Sequence, residues 1–196
     1  MDLKFYPDPS LKQKCSPVDF ALPGEREKIL GQLGQMRAIM RKLGGAGLAA
    51  NQVGLTSRMF VLASRQGQPF VNPKITKLLG QRRRMVEGCL SIPDFFEETS
   101  RYDSVEVEYV DPDTGTTSTT RLVGFLAQAV QHEMGHLDGK FFVDDSTARG
   151  AKDRAQAHMR KLRQTGKLNK YRSAVAQALS FYEETKHLLD APVSAL

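Results

Sequence analysis

Two histidines and a glutamate form the pattern with the clearest chemical meaning in this sequence, His132-Glu133-Met134-Gly135-His136. Residues four apart lie one turn apart on the same helix face, so both imidazoles can converge on one metal ion. The glutamate between them can reach a water molecule on that ion and take its proton. The alternative is a chance match on an amphipathic helix. The spacing therefore predicts a helical metal site in which Glu133 is a base and not a ligand.

A catalytic metal ion usually takes three protein ligands and leaves one position open, so a third ligand has to come from elsewhere. Cys89, in the segment EGCLS (87–91), is the best candidate, because a thiolate completes a His2Cys set. A buried free cysteine is the alternative, and a disulfide with Cys15 stays open, although a reducing compartment is favoured. The downstream candidates are weaker, since they are expected at the surface or beyond a helix end: His158, His187, Asp138, Asp144 and Asp145.

The elements that must position these residues follow from the spacing of apolar and turn-forming residues. Helices are predicted at 25–43, 124–137, 149–165 and 168–189. Strands are predicted at 58–64, 69–75, 82–92, 105–111 and 116–123. Gly139 is expected to end the second helix, and Gly166 to separate the last two. This order predicts an α+β fold: a single domain of short, mostly antiparallel strands around a central metal-binding helix, with an N-terminal helix and C-terminal helices.

Composition places few further limits on function. The chain has 196 residues, 40% of them hydrophobic and 26% charged, which suits one globular domain over 1–196. No apolar run long enough to span a membrane and no signal peptide are visible, so a cytoplasmic location is expected. The net charge of +6 permits attraction to anionic partners, but no nucleic-acid-binding motif is found.

Three segments taken together resemble the peptide deformylases: GAGLAANQ (45–52), EGCLS (87–91) and QHEMGH (131–136). In that family the three motifs occur in this order with similar separations, and the resemblance covers roughly residues 1–145. It implies a metal-dependent hydrolase that removes the formyl group from the N-terminal formyl-methionine of newly made polypeptides.

The resemblance also implies a role for each matching residue. Cys89, His132 and His136 would bind one divalent ion, with Fe2+ as the native metal and Zn2+, Ni2+ or Co2+ as alternatives. Water on the metal would attack the formyl carbon, with Glu133 as general base and then acid. Gln52 and the backbone N–H of Leu90 would stabilise the oxyanion. The remaining implied positions belong to the substrate site: Gly45, Gly47, Glu87 and Gln128.

Besides Ala46, where a larger aliphatic residue is common, three positions depart from the family pattern. Gly135 replaces an aspartate, which lowers helix propensity and removes a carboxylate partner for a base such as Arg101. Phe96 stands near the place of an arginine that lines the substrate channel. Gln128 replaces an apolar residue against the methionine side chain, which predicts a more polar pocket and a changed preference for the first substrate residue. Neutral drift is the alternative.

Two other functions stay open on the sequence alone. A zincin-type metallopeptidase shares the His132–His136 pattern but takes its third ligand downstream, so replacing Cys89 with Ala would spare its metal. A non-catalytic deformylase-like binding protein would explain the three departures, but it would not need Glu133 beside the metal.

The last part of the chain, from about 149 to 196, is predicted to be a helical, basic C-terminal extension. The resemblance implies that such a helix docks on the ribosome, whereas a solvated helical face is the plain alternative. The expected partners are therefore N-formyl-methionyl nascent peptides and the ribosome, with no membrane. The basic residues are Arg149, Lys152, Arg154, Arg160, Lys161, Arg163, Lys167, Lys170 and Arg172.

Overall fold

A computed structural model of the chain describes residues 1–63 and 68–189. The longer helices are α1 (Glu25–Lys42), α2 (Phe125–Leu137), α3 (Ala151–Gln164) and α4 (Leu168–Leu189). The strands are β1 (Gly47–Ala49), β2 (Met59–Leu62), β3 (Pro69–Cys89), β4 (Ile92–Val110) and β5 (Thr117–Val123). They form one sheet in the order β1-β2-β3-β4-β5, and every neighbouring pair is antiparallel. The predicted α+β class is confirmed.

The strands β3 and β4 are far longer than predicted and form one extended hairpin. The run 82–92, expected to be one strand, contains the end of β3, a turn at Leu90–Ser91 and the start of β4. Most of the side chains in the outer half of β3 are exposed, so this part lacks the alternation that marks a half-buried strand. Backbone pairing with β4 holds it instead. Ser64, the end of the predicted strand 58–64, lies outside the described residues.

The strand β2 is buried on both of its faces and lies between two apolar clusters. Along β2, Met59 and Val61 pack in the same apolar cluster as α1, while Phe60 and Leu62 pack in the cluster that includes α2. Gly139 follows α2 and has a φ of 73°, a left-handed conformation that is typical of a glycine at the end of a helix. This agrees with the prediction that Gly139 ends α2. A Cβ there would lie 2.3 Å from the carbonyl oxygen of Lys12, so only glycine fits.

The C-terminal helices pack against the rest of the chain. Seven of their apolar side chains are buried in the cluster that also contains the inner face of α1: Ala151, Ala155, Met159, Leu162, Leu168, Val175 and Ala178. Within residues 1–63 and 68–189, no helix is both long and apolar enough to cross a membrane.

Candidate metal centre

The end of β3 and the middle of α2 bring one thiol and two imidazoles together. The Sγ atom of Cys89 lies 3.2 Å from Nε2 of His136, which lies 3.1 Å from Nε2 of His132. Ligands of a tetrahedral ion at about 2.0–2.3 Å would be separated by roughly 3.3–3.6 Å, so the three donor atoms fit one ion. Among the residues that the structure describes, this is the one group found with such metal-ligand spacing.

The weaker ligand candidates lie elsewhere and have other partners. Asp138 pairs with Arg58, and Asp144 pairs with Lys152. His187 is exposed, as expected. His158 was expected at the surface, but it is partly buried and its Nε2 donates to the carbonyl oxygen of Pro93 at 2.7 Å. The third candidate donor, Cys89, thus comes from upstream of the helix, unlike the arrangement expected of a zincin.

Glu133 is buried beside the three ligand candidates. Its Oε2 atom has no hydrogen-bond partner in the described part of the chain. Burial raises the pKa of Glu133 to about 7. A Cβ on Gly47 would lie 2.4 Å from Oε1 of Glu133, so the glutamate fits only because residue 47 has no side chain. The carboxyl group is therefore close-packed and able to exchange a proton near neutral pH.

Glu87 supports the outer side of His132. Its Oε2 lies 3.0 Å from Nδ1 of His132, and Nε of Arg101 donates to its Oε1 at 2.8 Å. Burial alone would raise the pKa of Glu87, but the hydrogen bonds from His132 and Arg101 lower it to about 2. A carboxylate on Nδ1 fixes the ring and leaves Nε2 toward the metal position. Thr99 donates a further hydrogen bond to Oε1 at 2.9 Å.

The two imidazoles differ in their affinity for protons. Burial lowers the pKa of His136 well below its usual value, which favours the neutral ring that a metal needs. Burial also disfavours a charge on His132, but hydrogen bonds with Cys89 and Glu87 outweigh it and raise the pKa well above normal.

Gln52 is held with its amide group toward Cys89. Its Oε1 accepts from the backbone N–H of Ala49 at 2.8 Å, which fixes the amide orientation. Its Nε2 lies 3.3 Å from the sulfur of Cys89 and donates to Oγ of Ser91 at 3.2 Å. Leu90 follows Cys89 in the turn after β3.

A cleft of about 500 Å3 opens onto these groups. Its wall contains every residue that was predicted for the site except the fully buried His136, including the substrate residues Gly45, Gly47, Glu87 and Gln128. The Nε2 of Gln128 donates to the carbonyl oxygen of Val86 at 3.2 Å. No motif or spacing pointed to Tyr171, which lines the cleft from α4. Ser91 was also missed, although it lies within the EGCLS segment.

The three departures have distinct structural settings. Phe96 lines the cleft and is mostly exposed, and Gln128 is buried in its wall. Gly135 does not line the cleft but lines a second cavity of about 590 Å3. Arg101 does not lack a second carboxylate, because its Nη1 donates to Asp145 at 2.7 Å. Asp145 thus provides a carboxylate partner for Arg101, although residue 135 is glycine and provides none.

Comparisons with known proteins agree with this geometry. The family model described as polypeptide deformylase matches residues 1–152. A peptide deformylase of Treponema pallidum (strain Nichols) is 39% identical over 145 residues, covering 74% of this chain and 86% of that protein. A peptide deformylase of Brucella suis biovar 1 (strain 1330) is 34% identical over 180 residues, covering 89% and 93%.

Solved structures are similar as well. The peptide deformylase of Synechococcus elongatus in complex with actinonin has a TM-score of 0.71 and 34% identity, covering 80% of this chain and 84% of that one. The peptide deformylase of Thermotoga maritima has a TM-score of 0.69 and 31% identity, covering 74% and 97%. With a family match over most of its length and relatives of this similarity, the chain belongs to the polypeptide deformylase family.

Proposed function

We propose that the chain removes the formyl group from the N-terminal formyl-methionine of newly made polypeptides, and that Cys89, His132 and His136 hold the divalent metal for this reaction. The convergence of these three donors beside the unpaired carboxyl oxygen of Glu133 supports the proposal most strongly. Family membership supports the reaction, and the cleft beside these residues supports its location.

One thiolate and two imidazoles suit Fe2+, Zn2+, Co2+ or Ni2+ better than Mg2+ or Ca2+. On the family resemblance, we infer Fe2+ as the native ion. A bound ion of this kind supplies Lewis-acid chemistry, since it lowers the pKa of water and polarises a carbonyl group. The protein's own part is to hold the donors, and Glu87 keeps His132 in the required orientation.

Glu133 is the proton carrier in this proposal. Its carboxylate takes a proton from the attacking water, and the resulting acid gives that proton to the leaving amine. A pKa of about 7 suits both directions of transfer near neutral pH. The close approach of Gly47 restricts the carboxyl group, which supports a fixed position beside the three ligand candidates.

Gln52 and the backbone N–H of Leu90 would stabilise the oxyanion that forms on the formyl group. The fixed orientation of Gln52 supports this role, because a donor held in advance needs no reorganisation during the reaction. Loss of one such donor typically costs about 3–4 kcal/mol of transition-state stabilisation.

The peptide itself would lie along the glycine-rich segment. The strand β1 is at the edge of the sheet, and Gly45 and Gly47 line the cleft there. An extended peptide can add to such an edge through backbone hydrogen bonds, and glycine lets it approach closely. Gln128 would then face the first substrate residue, and Glu87 would face the metal ligands.

We further propose that residues 1–196 form one deformylase-like domain whose segment from about 149 onward is a basic extension that docks on the ribosome. Exposed basic residues on α3 and after it support docking. Because the proposed substrate is a newly made polypeptide that still carries its formyl group, we expect the protein to act in the cytoplasm.

The test is a deformylation assay on formyl-Met peptides with anaerobic Fe2+ loading and a metal count. Glu133→Gln keeps the shape of the side chain but removes the base, so we expect kcat to fall by about 10²–10⁴ while the metal content persists. Glu108→Gln, at an exposed position on β4, should change neither quantity. Unchanged turnover in Glu133→Gln would contradict the proposed role, and loss of the metal would make Glu133 a ligand instead.

A further inference from the structure

The two imidazoles of the metal centre are restrained in different ways. Glu87 contacts Nδ1 of His132 and so fixes the orientation of that ring. The Nδ1 atom of His136 is buried and has no hydrogen-bond partner in the described part of the chain. Metal-binding imidazoles usually gain their orientation from a partner on the second ring nitrogen. The placement of His136 must therefore depend more on its backbone and on packing than the placement of His132 does.

The backbone of His136 lies where a helix is least restrained by its own hydrogen bonds. The helix α2 ends at Leu137, so the carbonyl groups of its last turn have no partners further along the helix. The N–H of Gly139 donates to the carbonyl oxygen of His136 at 3.0 Å from the turn that follows. Helix ends fray readily. A donor from another element can thus decide how precisely this ligand is placed.

Asn51 provides such a donor from the segment GAGLAANQ (45–52). Its Nδ2 donates to the carbonyl oxygen of His136 at 2.6 Å and to that of Leu11 at 3.2 Å. Both partners are acceptors, so the amide nitrogen and not the amide oxygen must face them. The residue is only 3% exposed, and hydrogen bonds in such a region of low dielectric are stronger than in water. One amide group thus joins the N-terminal segment, the glycine-rich segment and the end of α2.

The same contact restricts the spacing between two groups of the proposed mechanism. Asn51 and Gln52 are neighbours in one 3-10 turn, Ala50–Val53. Gln52 is the proposed oxyanion donor, and His136 is a proposed metal ligand. The hydrogen bond from Asn51 therefore holds the turn that carries the oxyanion donor against the helix that carries the ligand. Small errors in the placement of such groups are costly for catalysis.

We propose that Asn51 is a positioning residue that keeps His136 and Gln52 at a fixed spacing around the metal. Asn51 does not line the cleft, so it acts through these two residues and not on the substrate. The expected effect on turnover rests on the proposed function. The expected effect on metal retention requires only that His136 is a ligand.

The test compares Asn51→Ala with a matched control, Asn72→Ala. Asn72 also makes two side-chain hydrogen bonds to the backbone, both with Val18, at 2.7 and 2.8 Å, and it does not line the cleft. We expect Asn51→Ala to release Zn2+ to a chelator roughly tenfold faster than wild type, because losing a group that orients a metal ligand typically costs about 10–100-fold in affinity. The visible absorption of the Co2+-loaded protein, which reports the ligand geometry, should change as well.

In the fully loaded Asn51→Ala protein, kcat for formyl-Met peptides should fall by roughly tenfold or more while KM stays unchanged, because the reacting groups move but the cleft wall does not. Asn72→Ala should lower Tm to a similar extent but keep the wild-type Zn2+ release, Co2+ absorption and kcat. Asn51→Ser, which keeps a hydroxyl donor on a shorter side chain, is the milder variant and should give an intermediate rate of Zn2+ release.

Equal changes in Asn51→Ala and Asn72→Ala would overturn the positioning role, as would wild-type Zn2+ release and Co2+ absorption in Asn51→Ala. Failure of both Asn51 variants to fold would overturn it too, because the residue would then be required for the fold and not specifically for the site. None of these outcomes touches the proposed function. A wild-type protein that binds the metal but deformylates no formyl-Met peptide would overturn the proposed function, while Zn2+ release would still decide the role of Asn51.

Discussion

At the scale of single residues, two buried carboxyl groups near the same metal position have opposite protonation behaviour. Burial raises the pKa of Glu133 to about 7. At Glu87 burial is outweighed by hydrogen bonds from His132 and Arg101, which lower the pKa to about 2. Two carboxyl groups whose pKa values are pushed apart can divide the work of proton transfer and of support. Glu133 is thus suited to move protons, and Glu87 to remain charged.

The sequence could predict the first of these roles but only part of the second. The spacing of His132, Glu133 and His136 needs only helical geometry, so the base was predictable. The partners of Glu87 come from β4 and α2. Arg101 is itself paired with Asp145, which follows α2, and no local pattern brings these residues together.

A prediction at the residue scale concerns Gln128. Its side chain is 6% exposed in the cleft wall, tied to the backbone of Val86. We expect Gln128→Leu to raise the ratio of kcat/KM for formyl-Met over formyl-Ser peptides about tenfold, because an apolar wall no longer accommodates a polar side chain. Gln156→Leu, at an exposed position on α3, should leave the ratio unchanged. A strong methionine preference that is equal in wild type and Gln128→Leu would refute a changed pocket.

At the scale of elements, helices with a buried face were predictable and the long hairpin was not. The first helix was predicted at 25–43 and spans Glu25–Lys42, because buried residues recur along it at helical spacing. The middle of the hairpin has no buried face, so its pairing leaves no periodic signal in either strand. Its tip nevertheless carries Cys89 to α2, which makes it the element on which the site depends.

The C-terminal helices are attached to the hairpin by polar contacts as well as by their buried apolar side chains. Arg154 pairs with Glu97 at 2.7 Å, and Tyr171 donates to Asp94 at 2.8 Å. Lys152, Arg154 and Lys170 of the extension thus form ion pairs within the chain. Removing the extension would expose the core, so charge reversal is the better test of ribosome docking.

Arg160, Lys161 and Lys167 are exposed, and no ion pair of theirs is found in the described part of the chain. If these residues contact ribosomal RNA, changing all three to Glu should weaken co-sedimentation with ribosomes by roughly tenfold or more at low salt, with a smaller difference at high salt. Turnover of free formyl-Met peptides should not change. Lys14, Lys42 and Lys74, also exposed, give a control with the same change in charge. Equal losses in both triple variants would argue against docking through the extension.

At the scale of the whole molecule, the sheet and α2 assemble one site from segments far apart in the sequence. The order of the three motifs indicated which residues would meet, and the structure brings Cys89 within reach of both imidazoles. Tyr171 and Phe125 were not predictable as cleft residues, because their positions depend on how α4 and the start of α2 pack at its mouth. Local patterns identified the reacting groups, while the shape around them depends on the packing of the complete chain.

The measurement that tests the proposed metal centre most directly is X-ray absorption of the Zn2+-loaded protein, which reports the atoms around the metal. Ligation by Cys89, His132 and His136 predicts one sulfur at about 2.3 Å and two imidazole nitrogens at about 2.0–2.1 Å, with the sulfur lost in Cys89→Ala. A metal shell without sulfur in the wild-type protein would contradict this centre.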